Sequence, residues 1–257
     1  MGGRSRTFVI VPAFNEEARI GAVLASMPAS VDEIFVVDDA SRDATAAIAR
    51  ASIDPRVRVF VHAVNRGVGA AIATGYREAL TRGGEAGDAF VVMAGDGQMD
   101  PSDLDALTLP IRERRAGYVK GNRFAHPEVR ATMPRARYLG GAVFSRLTSL
   151  AIGQPVQDSQ CGYTAIAREA CARLDLDALW PRYGYPNDLL AQLAERRIAI
   201  DEVCVRPVYA GEASGLRVWH CARIAHLVGR AWVRRVSGAQ SRGVQPASSA
   251  RSTMAGT

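Results

Sequence analysis

The sequence lacks long hydrophobic runs, and its few cysteines are not paired. No stretch approaches the roughly 18 consecutive apolar residues that a membrane-spanning helix needs. The first strand begins by about residue 7, so we expect no room for a signal peptide. Neither a CxxC pair nor the spacing of a metal finger occurs among the four cysteines, which are Cys161, Cys171, Cys204 and Cys221. These absences predict buried thiols in a reducing compartment and a cytoplasmic protein, at most peripheral at the inner face of the cell membrane.

The composition is that of an ordinary folded protein with an excess of arginine. The chain has 257 residues, of which 48% are hydrophobic and 23% charged, enough for one large domain or one domain with an appendage. The net charge is +6, and much of the excess follows residue 110. A basic half of this kind suits anionic small substrates or a membrane surface, and it is too diffuse for a nucleic-acid binder.

The first hundred residues alternate apolar strand-like runs with helical segments. Each run passes into a polar loop and then a helix, and the runs are Thr7–Val11, Glu33–Val37, Val57–Val61 and Phe90–Met93. Such alternation is typical of βαβ units with right-handed crossovers. The sequence therefore predicts an α/β fold of the Rossmann-like, doubly wound type with a mainly parallel sheet.

The second half is less regular. It predicts a helix capped by Ser102 and ending near Arg115, a strand at 118–120, a helix over 134–152 interrupted by two glycines, a helix over 187–196, and one or two strands over 198–208. Residues 216–236 predict a basic amphipathic helix with a possible place at a membrane surface, and residues 237–257 a disordered tail. The domain proper is expected to span residues 5–215.

The turn after the fourth strand carries Asp96, Gln98 and Asp100. Open α/β sheets bind ligands beyond the carboxyl ends of their strands. Oxygen ligands at that position can hold a hard divalent cation against a phosphate. This turn is therefore the candidate site for a metal and a diphosphate.

Five polar segments follow one another along the chain: VPAFNEE at 11–17, DDASRDAT at 38–45, NRGVG at 65–69, GDGQMDP at 95–101 and DSQCGY at 158–163. Together they resemble the family 2 glycosyltransferases, which have the GT-A fold. The most similar group contains dolichyl-phosphate mannosyltransferase and bacterial polyprenyl-phosphate glycosyltransferases. The resemblance implies an enzyme that moves a hexosyl group from a UDP- or GDP-sugar to a polyprenyl phosphate, with inversion and with Mg²⁺ or Mn²⁺ as cofactor.

The resemblance assigns the first four segments to the nucleotide-sugar donor. The implied metal ligands are Asp96 and Gln98, and Ala94 stands where the family usually has a further acid. That departure predicts weaker metal binding in the absence of donor. The residues implied to bind the nucleotide-sugar are Pro12, Phe14, Asn15, Glu16, Asp38, Asp39, Arg66 and Asp96.

The acceptor side is expected to use carboxylates and arginines. A sugar hydroxyl needs a base, whereas a phosphate is already ionised and needs cations to position it. The candidates for the chemistry are Asp158, Asp188 and Arg123. Those for the acceptor phosphate are Arg123, Arg135, Arg137, Ser214 and Arg217, with Gly215 where the family commonly has lysine.

Two other interpretations stay open. A transferase of the same fold could act on a hydroxyl of a soluble or lipid-linked sugar, with Asp158 or Asp188 as base. A protein of another class could bind a nucleotide-sugar without catalysis, which the alanine at position 94 would allow.

Overall fold

The computed structural model describes residues 4–208, together with residues 229, 230 and 232. Within them lie seven strands, eight α-helices and two 3₁₀ turns, at Pro101–Asp103 and Arg123–Ala125. The strands are β1 (Thr7–Ala13), β2 (Glu33–Asp38), β3 (Val57–Val61), β4 (Ala89–Val92), β5 (Tyr118–Asn122), β6 (Thr164–Ala167) and β7 (Ile200–Cys204). The helices are α1 (Ile20–Ala25), α2 (Thr45–Arg50), α3 (Val68–Arg82), α4 (Leu104–Arg112), α5 (Val129–Thr132), α6 (Arg135–Ile152), α7 (Arg168–Ala172) and α8 (Tyr185–Glu195).

The seven strands form one mixed sheet in the order β3-β2-β1-β4-β6-β5-β7. β1 pairs in parallel with β2 and β4, β2 with β3, and β5 with β7. Only β6 runs against its neighbours β4 and β5 within the described chain. The predicted mainly parallel α/β sheet is thus confirmed. The strand order reverses direction between β1 and β4, which opens a crevice at their carboxyl ends.

The core is centred on β1, whose seven residues are all buried. A central strand covered on both faces needs a continuous apolar run, and that is why its sequence does not alternate. The Phe8 ring meets the Phe90 ring edge-on at 5.4 Å and lies 5.9 Å from the ring of Phe35, so aromatic contacts join β1 to both neighbours. Each such pair contributes about 1 kcal/mol beyond area burial. The strands that end at the crevice are therefore rigidly held.

Several predicted boundaries of the second half were wrong. The cap before α4 is Asp100, which accepts the Ser102 amide at 2.9 Å, and Ser102 itself lies inside the 3₁₀ turn. The helix ends at Arg112 because Arg114 has left-handed backbone, with φ of 56°. Helix α8 begins at Tyr185, two residues before the expected start.

The glycine pair at 140 and 141 does not interrupt α6, which is continuous. A Cβ on Gly141 would lie 2.8 Å from the Phe124 ring, so this glycine makes room for a packed aromatic side chain. Cys161 and Cys171 are buried and unbridged as expected, whereas Cys204 is exposed because it ends β7 at the edge of the sheet.

Two expectations for the C-terminal region cannot be compared with the fold. The helix over 216–236, apart from residues 229, 230 and 232, and the tail over 237–257 lie outside the described residues. In the part of the chain that is described, no helix combines the length and hydropathy needed to cross a bilayer.

A glycine on α3 lets this helix pack closely on β1. A Cβ on Gly75 would lie 2.3 Å from Cγ2 of Ile10, which is fully buried and has no room to shift. We predict that Gly75→Val lowers the free energy of unfolding by about 2 kcal/mol through overpacking. Urea unfolding measures this. Gly84→Val is the control, since a Cβ at Gly84 meets nothing within 4 Å, and equal losses in the two variants would contradict the packing argument.

Candidate active site

The crevice at the carboxyl ends of β1, β2 and β4 is lined by the loops that the sequence singled out. The loop after β1 is bound to the loop after β2 by backbone-to-side-chain hydrogen bonds. The Asn15 amide donates to Ser41 Oγ at 2.9 Å, and the Arg42 amide donates back to Asn15 Oδ1 at 2.9 Å. The Glu16 amide donates to Thr45 Oγ1 at 2.7 Å. The two loops therefore act as one wall.

That wall carries an exposed aromatic ring. Phe14 follows β1 directly and is 43% exposed, an unusual state for a phenylalanine next to a fully buried strand. Pro12 is buried, and its carbonyl accepts the Gly95 amide at 3.1 Å, which fixes the turn after β4 beside this loop. Glu16 forms an ion pair with Arg19 at 3.2 Å.

The two adjacent acids after β2 have different surroundings. Asp39 is buried and accepts the amides of Arg66 at 2.8 Å and Gly67 at 2.6 Å. It also contacts His62 Nδ1 at 2.7 Å, and the other ring nitrogen of His62 lies 3.0 Å from Thr74 Oγ1. Asp39 thus binds the loop after β3. Both of its carboxylate oxygens already form hydrogen bonds within the protein.

One carboxylate oxygen of Asp38 forms no hydrogen bond with the residues that the structure describes. Its Oδ2 accepts the Ser41 amide at 3.1 Å, whereas its Oδ1 is buried without a hydrogen-bond partner. A buried acceptor without a partner is unfavourable by about 1–3 kcal/mol, and a ligand N–H or O–H removes that cost. Of the two acids, Asp38 is the one with an acceptor to offer.

The turn after β4 is a tight loop that is closed by a hydrogen bond to the Asp96 carboxylate. Asp96 Oδ1 accepts the Gln98 amide at 3.0 Å, and Gly97 has φ of 72°, a conformation that suits glycine. Asp96 and Gln98 are both partly exposed, while Asp100 is turned away to cap the next helix. No group of three or more His, Cys, Asp or Glu side chains in the described residues could hold a metal ion.

This donor set fits a cation that shares its ligands with a substrate. One carboxylate and one amide carbonyl supply too few oxygens for a protein-only site, but Mg²⁺ ordinarily keeps several water and phosphate ligands. Asp96 and Gln98 therefore suit a divalent cation held jointly with a diphosphate.

The segment at 158–163 lies against this turn. The Tyr163 hydroxyl donates to the Asp100 carbonyl at 3.0 Å, and a Cβ on Gly162 would lie 3.3 Å from Met99. Since β6 is antiparallel to β4, the segment that enters β6 and the turn that leaves β4 share one edge of the sheet.

Asp158 is fully buried in an ion pair with Arg123. Nε of Arg123 donates to Oδ2 at 2.7 Å, Nη2 to Oδ1 at 2.9 Å, and the Arg123 amide to Oδ2 at 3.1 Å. Burial raises the pKa of Asp158, but the Arg123 guanidinium outweighs it and holds that pKa below the ordinary value. A carboxylate in this state is a weak base.

Two further charged residues, Glu202 and Lys120, bind the backbone of residues 157–161. Glu202 accepts the amides of Gln157 at 2.8 Å and Asp158 at 3.1 Å. Lys120, the only lysine of the chain, is fully buried and donates to the Cys161 carbonyl, and burial lowers its pKa. Sequence reasoning missed both residues, because no motif marks a contact between β5, β7 and a loop.

Asp188 is also engaged by the chain. It is 4% exposed and accepts the Trp180 amide at 3.0 Å, which holds the loop before α8. That loop packs on the start of α3, where the Ala70 amide donates to the Pro181 carbonyl at 3.1 Å. Arg182 Nη1, which the sequence did not single out, donates to Asn65 Oδ1 at 3.3 Å.

Three further predicted arginines, Arg66, Arg135 and Arg137, lie at two places. Arg66 is exposed on the loop after β3, and Arg135 and Arg137 lie in the first turn of α6. The Tyr138 ring lies 5.1 Å from the Phe124 ring and so brings that turn close to Arg123. The other two predicted acceptor residues, Ser214 and Arg217, lie outside the described residues.

Comparison with known sequences gives a consistent result. The sequence model of the family described as "Glycosyl transferase family 2" matches residues 8–175 of this chain. The chain is 30% identical over 217 residues to the UDP-N-acetylglucosamine–dolichyl-phosphate N-acetylglucosaminyltransferase of Methanococcus voltae, covering 79% of this chain and 85% of that protein. It is 31% identical over 203 residues to the undecaprenyl-phosphate mannosyltransferase of Micrococcus luteus, covering 77% and 82%.

Solved structures agree on the fold, which is GT-A. Glucosyl-3-phosphoglycerate synthase from Mycobacterium tuberculosis in complex with UDP superposes with a TM-score of 0.61 at 26% identity, over 89% of this chain and 80% of that one. Its complex with Mn²⁺, UDP and phosphoglyceric acid gives a TM-score of 0.61 at 24% identity, over 91% and 78%.

The unequal surroundings of the two acids after β2 predict unequal effects on stability. Asp39→Asn places an amide where three donors need an acceptor and should lower the free energy of unfolding by about 2–3 kcal/mol. Asp38→Asn keeps an acceptor for the Ser41 amide and should change it by less than about 1 kcal/mol. Urea unfolding of both variants tests this, and equal losses would mean that the Asp39 contacts do not stabilise the fold.

The Asp158–Arg123 pair predicts a pH-dependent contribution to stability. The folded pKa of Asp158 lies below the unfolded value of about 3.9, so the contribution is complete above that value and is lost as the pH falls through the folded pKa. Asp158→Asn should cost about 3 kcal/mol near pH 7, and the difference from the unaltered protein should shrink as the pH falls below about 4. Urea unfolding over this pH range measures it; a difference that stays constant would contradict the assignment.

Proposed function

This chain belongs to glycosyl transferase family 2, and on that premise we propose that it moves a hexosyl group from a UDP- or GDP-sugar to a polyprenyl phosphate. Two relatives named above act, by their names, on dolichyl phosphate and undecaprenyl phosphate. The transfer is proposed to invert the anomeric carbon and to be assisted by a divalent cation.

The observation that supports a phosphate acceptor is the state of the two candidate bases. Asp158 is bonded to Arg123, with its pKa held low, and Asp188 accepts a backbone amide while almost fully buried. A sugar hydroxyl would need a carboxylate able to take its proton. A phosphate monoester is ionised near neutral pH and arrives as a nucleophile, so an acceptor of this kind suits a site whose carboxylates are already engaged.

The donor side of the proposal rests on Phe14 and Asp38. The exposed Phe14 ring offers a surface for stacking a nucleobase, and the unpartnered Asp38 Oδ1 offers an acceptor to a base N–H or a ribose hydroxyl. Asp39 contributes indirectly, because it holds the backbone of Arg66 and Gly67 at the start of α3. The roles of Pro12, Asn15 and Glu16 are to shape the wall beside them.

Asp96 and Gln98 are proposed to hold the donor's diphosphate through a divalent cation, either Mg²⁺ or Mn²⁺. Such a cation supplies charge neutralisation for the departing diphosphate. The Asp96 carboxylate is fixed by the Gln98 amide, so it would need little rearrangement on binding.

The proposed reaction requires no proton transfer. An oxygen of the acceptor phosphate forms a bond to the anomeric carbon on the face opposite the leaving group. The bond from that carbon to the diphosphate breaks, and its electron pair leaves with the nucleoside diphosphate. Arg123, oriented by Asp158, and the nearby Arg135 and Arg137 are proposed to hold the acceptor phosphate in line.

We predict that the purified full-length protein transfers labelled sugar from a UDP- or GDP-sugar to a short-chain polyprenyl phosphate, in the presence of Mg²⁺ or Mn²⁺, and that the product partitions into organic solvent. Asp96→Asn should lower turnover by about 100-fold through loss of the metal ligand. Asp100→Asn is the matched control, because this acid in the same turn caps the following helix and should leave most of the activity.

The outcomes separate the alternatives. Transfer to 3-phosphoglycerate or a free sugar, and none to a polyprenyl phosphate, would establish a hydroxyl acceptor and overturn the proposal. Donor binding without transfer to any acceptor would indicate a non-catalytic nucleotide-sugar-binding protein. Asp158→Asn distinguishes further, since a positioning role raises the KM for the acceptor more than it lowers kcat.

A further inference from the structure

Helix α6 buries hydroxyl groups and exposes a row of apolar side chains. Its inward face is rich in hydroxyl groups: Ser145 Oγ donates to Ser159 Oγ at 3.2 Å, and Thr148 Oγ1 donates to Asn187 Oδ1 at 2.9 Å. Both Ser145 and Thr148 are buried. A surface helix in water instead turns its apolar residues toward the core.

The outward face of α6 is apolar. Leu139 is 64% exposed, Val143 59%, Leu147 45% and Leu150 66%, and their spacing of four, four and three residues places them on one side of the helix. We call these four residues the α6 stripe. Single exposed leucines are ordinary, but an aligned row marks an interaction surface.

The charge along this part of the chain has one sign. No Asp or Glu occurs between Glu128 and Asp158, whereas this part of the chain contains Arg130, Arg135, Arg137 and Arg146. Arg130, Arg135 and Arg146 are exposed. Cations in the first turn of a helix are disfavoured by the helix dipole, so the exposed Arg135 is not favoured there by α6 itself. It suits an external anion.

This charge decides between the possible occupants of the stripe. A second copy of α6 would bring the same arginines and repel the first. The end of the chain has no Asp or Glu after Glu212 and several arginines, so its charge is also of the same sign. An anionic lipid surface supplies both an apolar interior and negative head groups.

We propose that α6 lies in the surface of an anionic lipid bilayer, with the α6 stripe among the acyl chains and the arginines at the phosphate level. This membrane contact is different from the one expected at residues 216–236. Tyr138 and Gly141 of α6 pack against Phe124, the residue after Arg123. This packing places Arg123 next to the helix that would contact the membrane. A lipid-borne phosphate would then meet Arg123 without leaving the surface.

The test is flotation of the full-length protein with vesicles of phosphatidylcholine alone or mixed with phosphatidylglycerol. The variant Leu139→Gln with Leu147→Gln should bind the anionic vesicles about 100-fold less tightly than the unaltered protein. The control is Ile53→Gln with Leu109→Gln, because Ile53 and Leu109 are exposed at 100% and 48% outside α6. It should bind like the unaltered protein, and unfolding midpoints should agree among all three.

Charge is tested separately with Arg130→Gln combined with Arg146→Gln, which should weaken binding to anionic vesicles and leave the weak binding to phosphatidylcholine unchanged. Equal vesicle binding by the stripe variant and its control would overturn the proposal. So would a dimer in solution that the stripe variant converts to a monomer. Transfer to a water-soluble short-chain acceptor should be unaffected in the stripe variant; vesicle binding without any transfer would count against the proposed function alone.

Discussion

The contact of Asp39 with the loop after β3 is the constraint on which the proposed donor side of the site depends. A buried carboxylate satisfied by two backbone amides and an imidazole fixes Arg66 and Gly67 against the end of β2. Gly67 and Gly69 are in turn covered by the segment at 180–182, which Asp188 holds through the Trp180 amide. Parts of the chain more than a hundred residues apart are thereby ordered by two acids. These acids shape the crevice that other residues use.

Most of the first half of the fold could be predicted from local pattern alone. Buried parallel strands require unbroken apolar runs, and β1, β2 and β4 lie close to the predicted positions. The half-exposed edge strand β3 also lies where its pattern predicts it. The second half depends on contacts between distant residues. Gly141 lies within a continuous helix and packs against Phe124, and Cys204 is exposed because β7 is the edge strand. Neither the contact with Phe124 nor the edge position can be predicted from residue spacing.

The same limit applied to the site. Motif resemblance located the loops, but it could not divide the work between Asp38 and Asp39, because the difference lies in which backbone amides reach each carboxylate. It also could not find Lys120, Glu202 or His62, whose contacts join separate elements. Burial reverses expectation once more in α6, where serine and threonine face inward and leucine outward. A periodicity argument assumes water outside the protein, and the exposed leucines of α6 do not follow the pattern that it predicts.

The single antiparallel strand has a consequence for how such a chain can diversify. Residues 7–101 contain β1 to β4 and the four loops proposed to bind the donor, whereas β6 joins the segment at 158–163 to them by one strand pairing, Ala89–Val92 against Thr164–Ala167. Residues 123–163, which connect β5 to β6, take no part in that pairing. Under the proposed function, sequence changes in this connection would alter the acceptor side without altering the loops that bind the donor.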